Sequence, residues 1–143
     1  MEKALFEKIH YNFRTYSEKI VDTVAGYDYR YRRYNVKYTL VLFASPVSIL
    51  KGFVEPMIRK TDTIVVLNSR FFAIVFDGVD ERMGLKVSDN MFVNLEACVF
   101  GNEIFSSVVN GSEADNAEAV VRKALNTLVD EIKVSVDDMV VSR

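Results

Sequence analysis

The sequence predicts an α+β domain: a four-stranded antiparallel sheet packed by helices on one face, with a further helix at each end of the chain. Three observations predict it. Apolar residues recur every three or four positions over long segments at the start, middle and end of the chain. Short runs rich in β-branched and aromatic residues lie between them. Two of these runs, 63–67 and 72–76, flank the short segment Asn68-Ser69-Arg70-Phe71 and read as a buried β-hairpin.

Over 5–34 the positions Ile9, Phe13, Tyr16, Ile20, Val24, Tyr27, Tyr31 and Tyr34 step by three or four, so residues 1–35 read as mostly one long helix. Gly26, which costs about 1 kcal/mol relative to alanine, is where a bend is expected. A helix this long exceeds what one small domain usually buries, so part of it is expected to pair with another chain, although its heptads are irregular. Residues 36–43 form a central strand ended by Ser45-Pro46. A short helix is expected over 48–60, with Pro56 near its start or at a kink. Asp62 opens the hairpin and Asp77-Gly78 closes it. A helix over 81–100 turns Leu85, Met91, Leu95, Cys98 and Val99 inward and stops at Gly101-Asn102. Residues 103–109 are a fourth strand, followed by the turn Asn110-Gly111-Ser112. Asp115 caps a closing helix to about Lys133, with Ala117, Val120, Val121, Ala124, Leu125, Leu128 and Ile132 inward. A short edge strand is expected at Met139-Val140-Val141. The middle of this order, βαββαβ, is the ferredoxin-like split arrangement.

At 143 residues the chain suits a single domain, 1–143, with a real core. Its net charge of −2 leaves no basic field for nucleic acid or an anionic membrane. The single cysteine, Cys98, excludes an internal disulfide, and the single histidine, His10, leaves no His/Cys cluster for zinc. Neither has a visible catalytic partner. No apolar run approaches the ~20 residues that span a bilayer. The charged start Met1-Glu2-Lys3 leads into an amphipathic pattern rather than a signal peptide, and a cytoplasmic protein without a cofactor is expected.

The chain resembles the GGDEF family, the diguanylate cyclase domain, from about Tyr11 to Val141. Tyr11-Asn12-Phe13-Arg14-Thr15-Tyr16 is loosely similar to the family's opening Leu-x-Asn-Arg-x-x-Phe. Residues 37–43 fall on the family's first strand. Arg59-Lys60-Thr61-Asp62 matches its Arg-x-x-Asp, at the usual distance before the signature turn. The hairpin, the next helix, Ser106-Ser107-Val108-Val109 and the closing helix follow in family order. The resemblance implies a nucleotide-cyclase-like fold.

The departures from the family's pattern bear on function. The acidic residues that bind magnesium in the family, around the end of the first strand, fall here on Ala44 and Pro46. The Gly-Gly-Asp/Glu-Glu-Phe signature falls on Asn68-Ser69-Arg70-Phe71-Phe72, of which only the last phenylalanine remains. Glycines at such a turn let the backbone approach a phosphate, and the acidic groups hold the metal that neutralises a triphosphate. The stretch before Arg59, which in the family cradles the guanine base, is much shortened. The resemblance therefore implies a degenerate GGDEF-like domain with no catalytic and no metal-binding residues. It reads as a bacterial signalling module that acts through a protein partner or as a homodimer.

Two sets of residues are candidates for binding. Arg59 and Asp62 match an Arg-x-x-Asp that can bind cyclic di-GMP in the family. A guanidinium forks onto phosphate or a guanine edge, and a carboxylate accepts from guanine N–H groups. The same two residues can equally end a helix and open a strand; Arg82 and Lys86 are the nearest further cations. Arg70 and Phe71 at the hairpin tip are expected to form an interaction knob, if Phe71 does not fold inward. The run Tyr27-Asp28-Tyr29-Arg30-Tyr31-Arg32-Arg33-Tyr34 has the alternation of a nucleic-acid stacking surface. The acidic pI of about 5.5 instead favours Tyr27, Tyr31 and Tyr34 as one helix face packed on the sheet.

Overall fold

β1 (Tyr38–Ala44) is buried at all seven of its positions and is the centre of the molecule. It pairs antiparallel with β3 (Phe71–Asp77) on one side and β4 (Phe105–Asn110) on the other. β2 (Thr63–Asn68) pairs antiparallel with β3, so the strand order is β2-β3-β1-β4. The structure, a computed structural model, describes residues 2–99 and 103–141. The fold class and the four antiparallel strands are those the sequence pattern predicts.

The two helical segments inside the βαββαβ order share one face of the sheet, as expected, and the helices at the two ends of the chain cover the other. Leu40, Leu42, Ala44, Phe71, Ala73 and Val75 pack against α1 (Glu2–Tyr11), α2 (Phe13–Tyr34) and α5 (Ala117–Val141). Val41, Phe43, Phe72, Ile74 and Phe76 pack on the opposite face against α4 (Glu81–Cys98) and the segment around Ile49 and Val54. The physical reason lies in β1 and β3 themselves. They are apolar at successive positions instead of alternating, so each face needs a cover.

The N-terminal helix is broken at Asn12, not at Gly26. Asn12 leaves helical geometry (φ −104°, ψ 15°) and its side-chain amide donates back to the carbonyl of Lys8 at 2.7 Å. Leu5, Ile9, Tyr16, Ile20 and Val24 are all buried in the domain's own core. Near the end of α2, buried Asp28 accepts hydrogen bonds from Tyr38 Oη (2.7 Å) and Arg32 Nη2 (3.1 Å). Arg32 also donates to the carbonyls of Gly111 (3.0 Å) and Ala114 (2.6 Å). Burial, reinforced by Asp28, holds the Tyr38 phenol protonated well above its ordinary range.

Between β1 and β2 the expected helix shrinks to one turn, α3 (Lys51–Val54), and a 3-10 turn at Glu55–Met57. Pro56, without an N–H, cannot continue the α-helical ladder there. α4 is capped by Asp80, whose carboxylate accepts from Met83 N–H at 2.8 Å. Met91 and Leu95 face inward as predicted, but Leu85 is 53% exposed. The Cys98 side chain and the stop at Gly101-Asn102 lie outside the described residues. α5 is capped by Asn116, which accepts from Ala119 N–H at 2.8 Å, rather than by Asp115. It stays helical to Val141, so no edge strand forms at 139–141.

Side chains bond to backbone groups on both sheet edges. On β4, the N–H groups of Ser106 and Asn110 donate to the carboxylates of Glu131 (3.2 Å) and Glu113 (2.7 Å). On β2, the carbonyl of Val66 accepts from Lys19 Nζ at 2.9 Å. Such capping blunts the tendency of open edges to pair with other chains.

Two glycines separate close packing from helix propensity. A Cβ at Gly84 would lie 2.6 Å from Oγ1 of Thr39, a buried β-branched residue that donates to the Val79 carbonyl and accepts from Asn110. Gly84→Ala is therefore expected to lower stability by about 1–3 kcal/mol. A Cβ at Gly26 would meet nothing within 4 Å. Gly26→Ala is expected to raise stability by about 0.5–1 kcal/mol. Thermal or urea denaturation of the two variants should show opposite signs.

Candidate functional site

The hairpin turn comprises Ser69 and Arg70, between the ends of β2 and β3. Asn68 shapes it: its Oδ1 accepts from Arg70 N–H (2.8 Å) and its Nδ2 donates to Tyr16 Oη (2.9 Å). The chain leaving β1 then crosses the turn. Ser45 N–H donates to the Arg70 carbonyl and Ile49 N–H to the Ser69 carbonyl, each at 2.8 Å, and the hydroxyls of Ser48 and Ser69 lie 3.2 Å apart. Among the described residues only Asn35 and Gly78 have positive φ, so this turn does not require glycine.

Phe71 departs from the expected knob. It is fully buried and meets the Tyr16 ring edge-on at 5.3 Å. Only Arg70 remains at the tip, half-buried. The strand alternation explains the difference, because Phe71 shares the face of Ala73 and Val75 beneath α2.

At the other end of the hairpin, Arg59 and Asp62 are brought together, as their spacing predicts. Asp62 Oδ2 accepts from Arg59 N–H (2.8 Å) and Nε (3.3 Å); Oδ1 accepts from Arg59 Nη2 (3.1 Å) and Asp77 N–H (2.9 Å). Arg59 also donates to the Asp77 carbonyl. The Asp62 side chain is 1% exposed and that of Arg59 60%. The hydrogen bond and charge of Asp62 raise the Arg59 pKa further, keeping the guanidinium cationic. The carboxylate thus bolts the start of β2 to the end of β3, and Arg30 pairs with Asp77 at 3.0 Å beside it. Arg82 and Lys86 are exposed on α4 and make no hydrogen bond or ion pair with a described residue, Arg59 and Asp62 included.

The tyrosine-arginine run packs on the sheet in part. Tyr27 Oη bonds Thr61 O (2.8 Å) and Thr63 Oγ1 (2.6 Å), and Tyr31 meets the Tyr38 ring at 6.2 Å. Tyr34, at the last residue of α2, is 64% exposed instead of joining that face. His10 is exposed and stacks on Phe6 at 5.5 Å. Among the described residues no group of three His, Cys, Asp or Glu side chains is placed to hold a metal ion. At the end of β1, Ala44, Ser45 and Pro46 are buried and bring no carboxylate.

One feature lay beyond sequence reasoning. A cavity of about 250 Å³ opens between α1 and the hairpin turn, lined by Lys8, Ser48, Asn68, Ser69 and Arg70 among others. No local motif signals it, because three separate chain segments supply its walls.

No protein-family model and no curated protein matches the sequence. Solved structures do match. The GGDEF domain of TpbB (YfiN) from Pseudomonas aeruginosa superposes with TM-score 0.66 and 12% identity, over 80% of this chain and 81% of that one. The GGDEF domain of DgcB from Caulobacter crescentus, solved in complex with c-di-GMP, gives 0.61 and 10%, over 80% and 82%. This chain has the GGDEF fold. A DGC protein from Thermotoga maritima gives 0.54 and 16%, over 73% and 85%. At these identities the likeness is one of fold, shared by a GGDEF-like domain whose turn is Ser69-Arg70.

The bolt reading of Asp62 predicts an asymmetric pair of variants. Asp62→Ala leaves the Asp77 N–H and the Arg59 backbone N–H unpaired and should cost about 2–4 kcal/mol. Arg59→Ala takes away two side-chain donors but leaves both backbone donors on the carboxylate and opens it to water, so it should cost less, about 1–2 kcal/mol. Urea denaturation midpoints of the two variants check the difference.

Proposed function

We propose that this GGDEF-like domain is a non-catalytic bacterial signalling module, working in the cytoplasm through contact with a protein partner or a second copy of itself. The observation that carries this reading is the hairpin turn. Its carbonyls are taken by the chain leaving β1, and its side chains are a serine and an arginine. The residues there do not fit a divalent cation: Ala44, Ser45, Pro46, Asn68, Ser69 and Arg70 offer no carboxylate, and Arg70 adds a positive charge. Without carboxylates to hold a metal, phosphoryl transfer loses the groups that stabilise its charge. Among the described residues no helix is long and apolar enough to cross a membrane.

A second reading, a cyclic di-GMP receptor, is supported by the exposure of the Arg59 guanidinium. Against it, Asp62 already has four donors, so a guanine would have to displace bonds that hold the hairpin together.

Incubating the protein with GTP and magnesium or manganese should yield no dinucleotide by chromatography; a cyclic dinucleotide product would overturn the non-catalytic reading. Titration calorimetry with cyclic di-GMP should show no heat. Micromolar binding that disappears in Arg59→Ala would establish the receptor instead.

A further inference from the structure

We infer that the cavity between α1 and the hairpin turn is a metal-independent oxyanion site, in which Arg70 and Lys8 hold a phosphate group. The charge balance of its walls is the first ground. Among the described residues two cationic side chains line the cavity and no acidic one does. Its volume of about 250 Å³ exceeds by several-fold the ~30 Å³ share of one water, which leaves room for a phosphate and a few waters.

The state of Arg70 is the second ground. Of the described lysines and arginines, only Arg30 and Arg70 are half-buried; the others are exposed. Arg30 is paired with Asp77 at 3.0 Å. The Arg70 guanidinium has no hydrogen bond or ion pair to any described residue. A half-buried guanidinium with no acceptor from the protein keeps its donors free for the oxygens of an anion. Lys8 is likewise without an acceptor for its ammonium among the described residues.

Geometry is the third ground. Both backbone polar groups of Arg70 are engaged, the N–H by Asn68 and the carbonyl by Ser45, so the base of its side chain is set before any ligand arrives. A guanidinium presents a fork that matches two oxygens of a phosphate. The Ser48 and Ser69 hydroxyls can rotate to donate to the remaining oxygens. The site also bridges two elements. Lys8 comes from α1, which Asn12 separates from α2, so a bound anion would tie α1 to the turn.

The ligand is either free phosphate or the phosphate end of a larger molecule. Titration with inorganic phosphate, pyrophosphate and acetate, all in EDTA, separates these by NMR of backbone amides. We expect saturable shifts of the Ser69 and Arg70 amides with phosphate or pyrophosphate and none with acetate. Tighter binding of phosphate than of pyrophosphate identifies a free ion; the reverse identifies a phosphate end group. Arg70→Gln, which keeps the backbone bonds of the turn, should weaken binding at least about tenfold, and Lys8→Gln should weaken it several-fold. Thermal melting checks that both variants fold. If Arg70→Gln does not fold, Lys8→Gln decides. No saturable shift at tens of millimolar, equal response to acetate, or unchanged binding in the folded variants would overturn the site. The outcome is separate from the question of turnover, because an oxyanion can bind here whether or not the domain is an enzyme.

Discussion

Two backbone hydrogen bonds, from Ser45 and Ile49 to the carbonyls of Arg70 and Ser69, join the chain leaving β1 to the hairpin turn. The character of the molecule at this end depends on that joint. Because the crossing segment lies over the turn, the turn needs no positive-φ residue and no glycine to admit a ligand against its backbone. Because Phe71 begins a strand buried on both faces, its ring goes inward to Tyr16. What is left at the tip is the exposed Ser69 and the half-buried cationic side chain of Arg70. A turn with carboxylates and open amides concentrates metal and phosphate; this one has packing contacts and the positive charge of Arg70.

Elsewhere the charged groups act as fasteners. Asp28 and Asp62 are both nearly buried, and each is surrounded by donors rather than open to a ligand. Asp28 links α2 to β1 through Tyr38, and through Arg32 reaches the loop after β4. Asp62 closes the open end of the hairpin. A buried carboxylate is tolerable only when donors meet it, and in both places each oxygen accepts at least one hydrogen bond. The Arg-x-x-Asp spacing therefore has a complete structural explanation within this chain, before any ligand is considered.

The solved GGDEF domains establish that the scaffold is shared at 10–16% identity. A shared scaffold constrains where a site can be built, not what chemistry it performs. The chemistry has to be read from the groups at the turn and at the end of β1. Those were legible in the sequence, since a missing carboxylate is missing in any conformation. The pairing of Arg59 with Asp62 was legible too, because residues three apart at a turn meet for local reasons. The burial of Phe71 and the cavity beside Arg70 were not. They depend on Tyr16 and Lys8, which lie far away in the chain and are carried to the turn by α1 and α2.

The amino-acid sequence alone determined the class of fold, the hairpin, the strands and the absence of acidic groups at the turn. These follow from local apolar periodicity and from residue identity, and neither needs a distant partner. Tertiary structure decided the rest. It put helices on both sides of a sheet whose β1 and β3 have no polar face, moved the helix break to Asn12, and ran α5 through residues read as a strand. It also brought Lys8 and Arg70 to one cavity. Each of these outcomes is set by which surfaces remain to be covered once the elements meet, a quantity that local pattern does not contain.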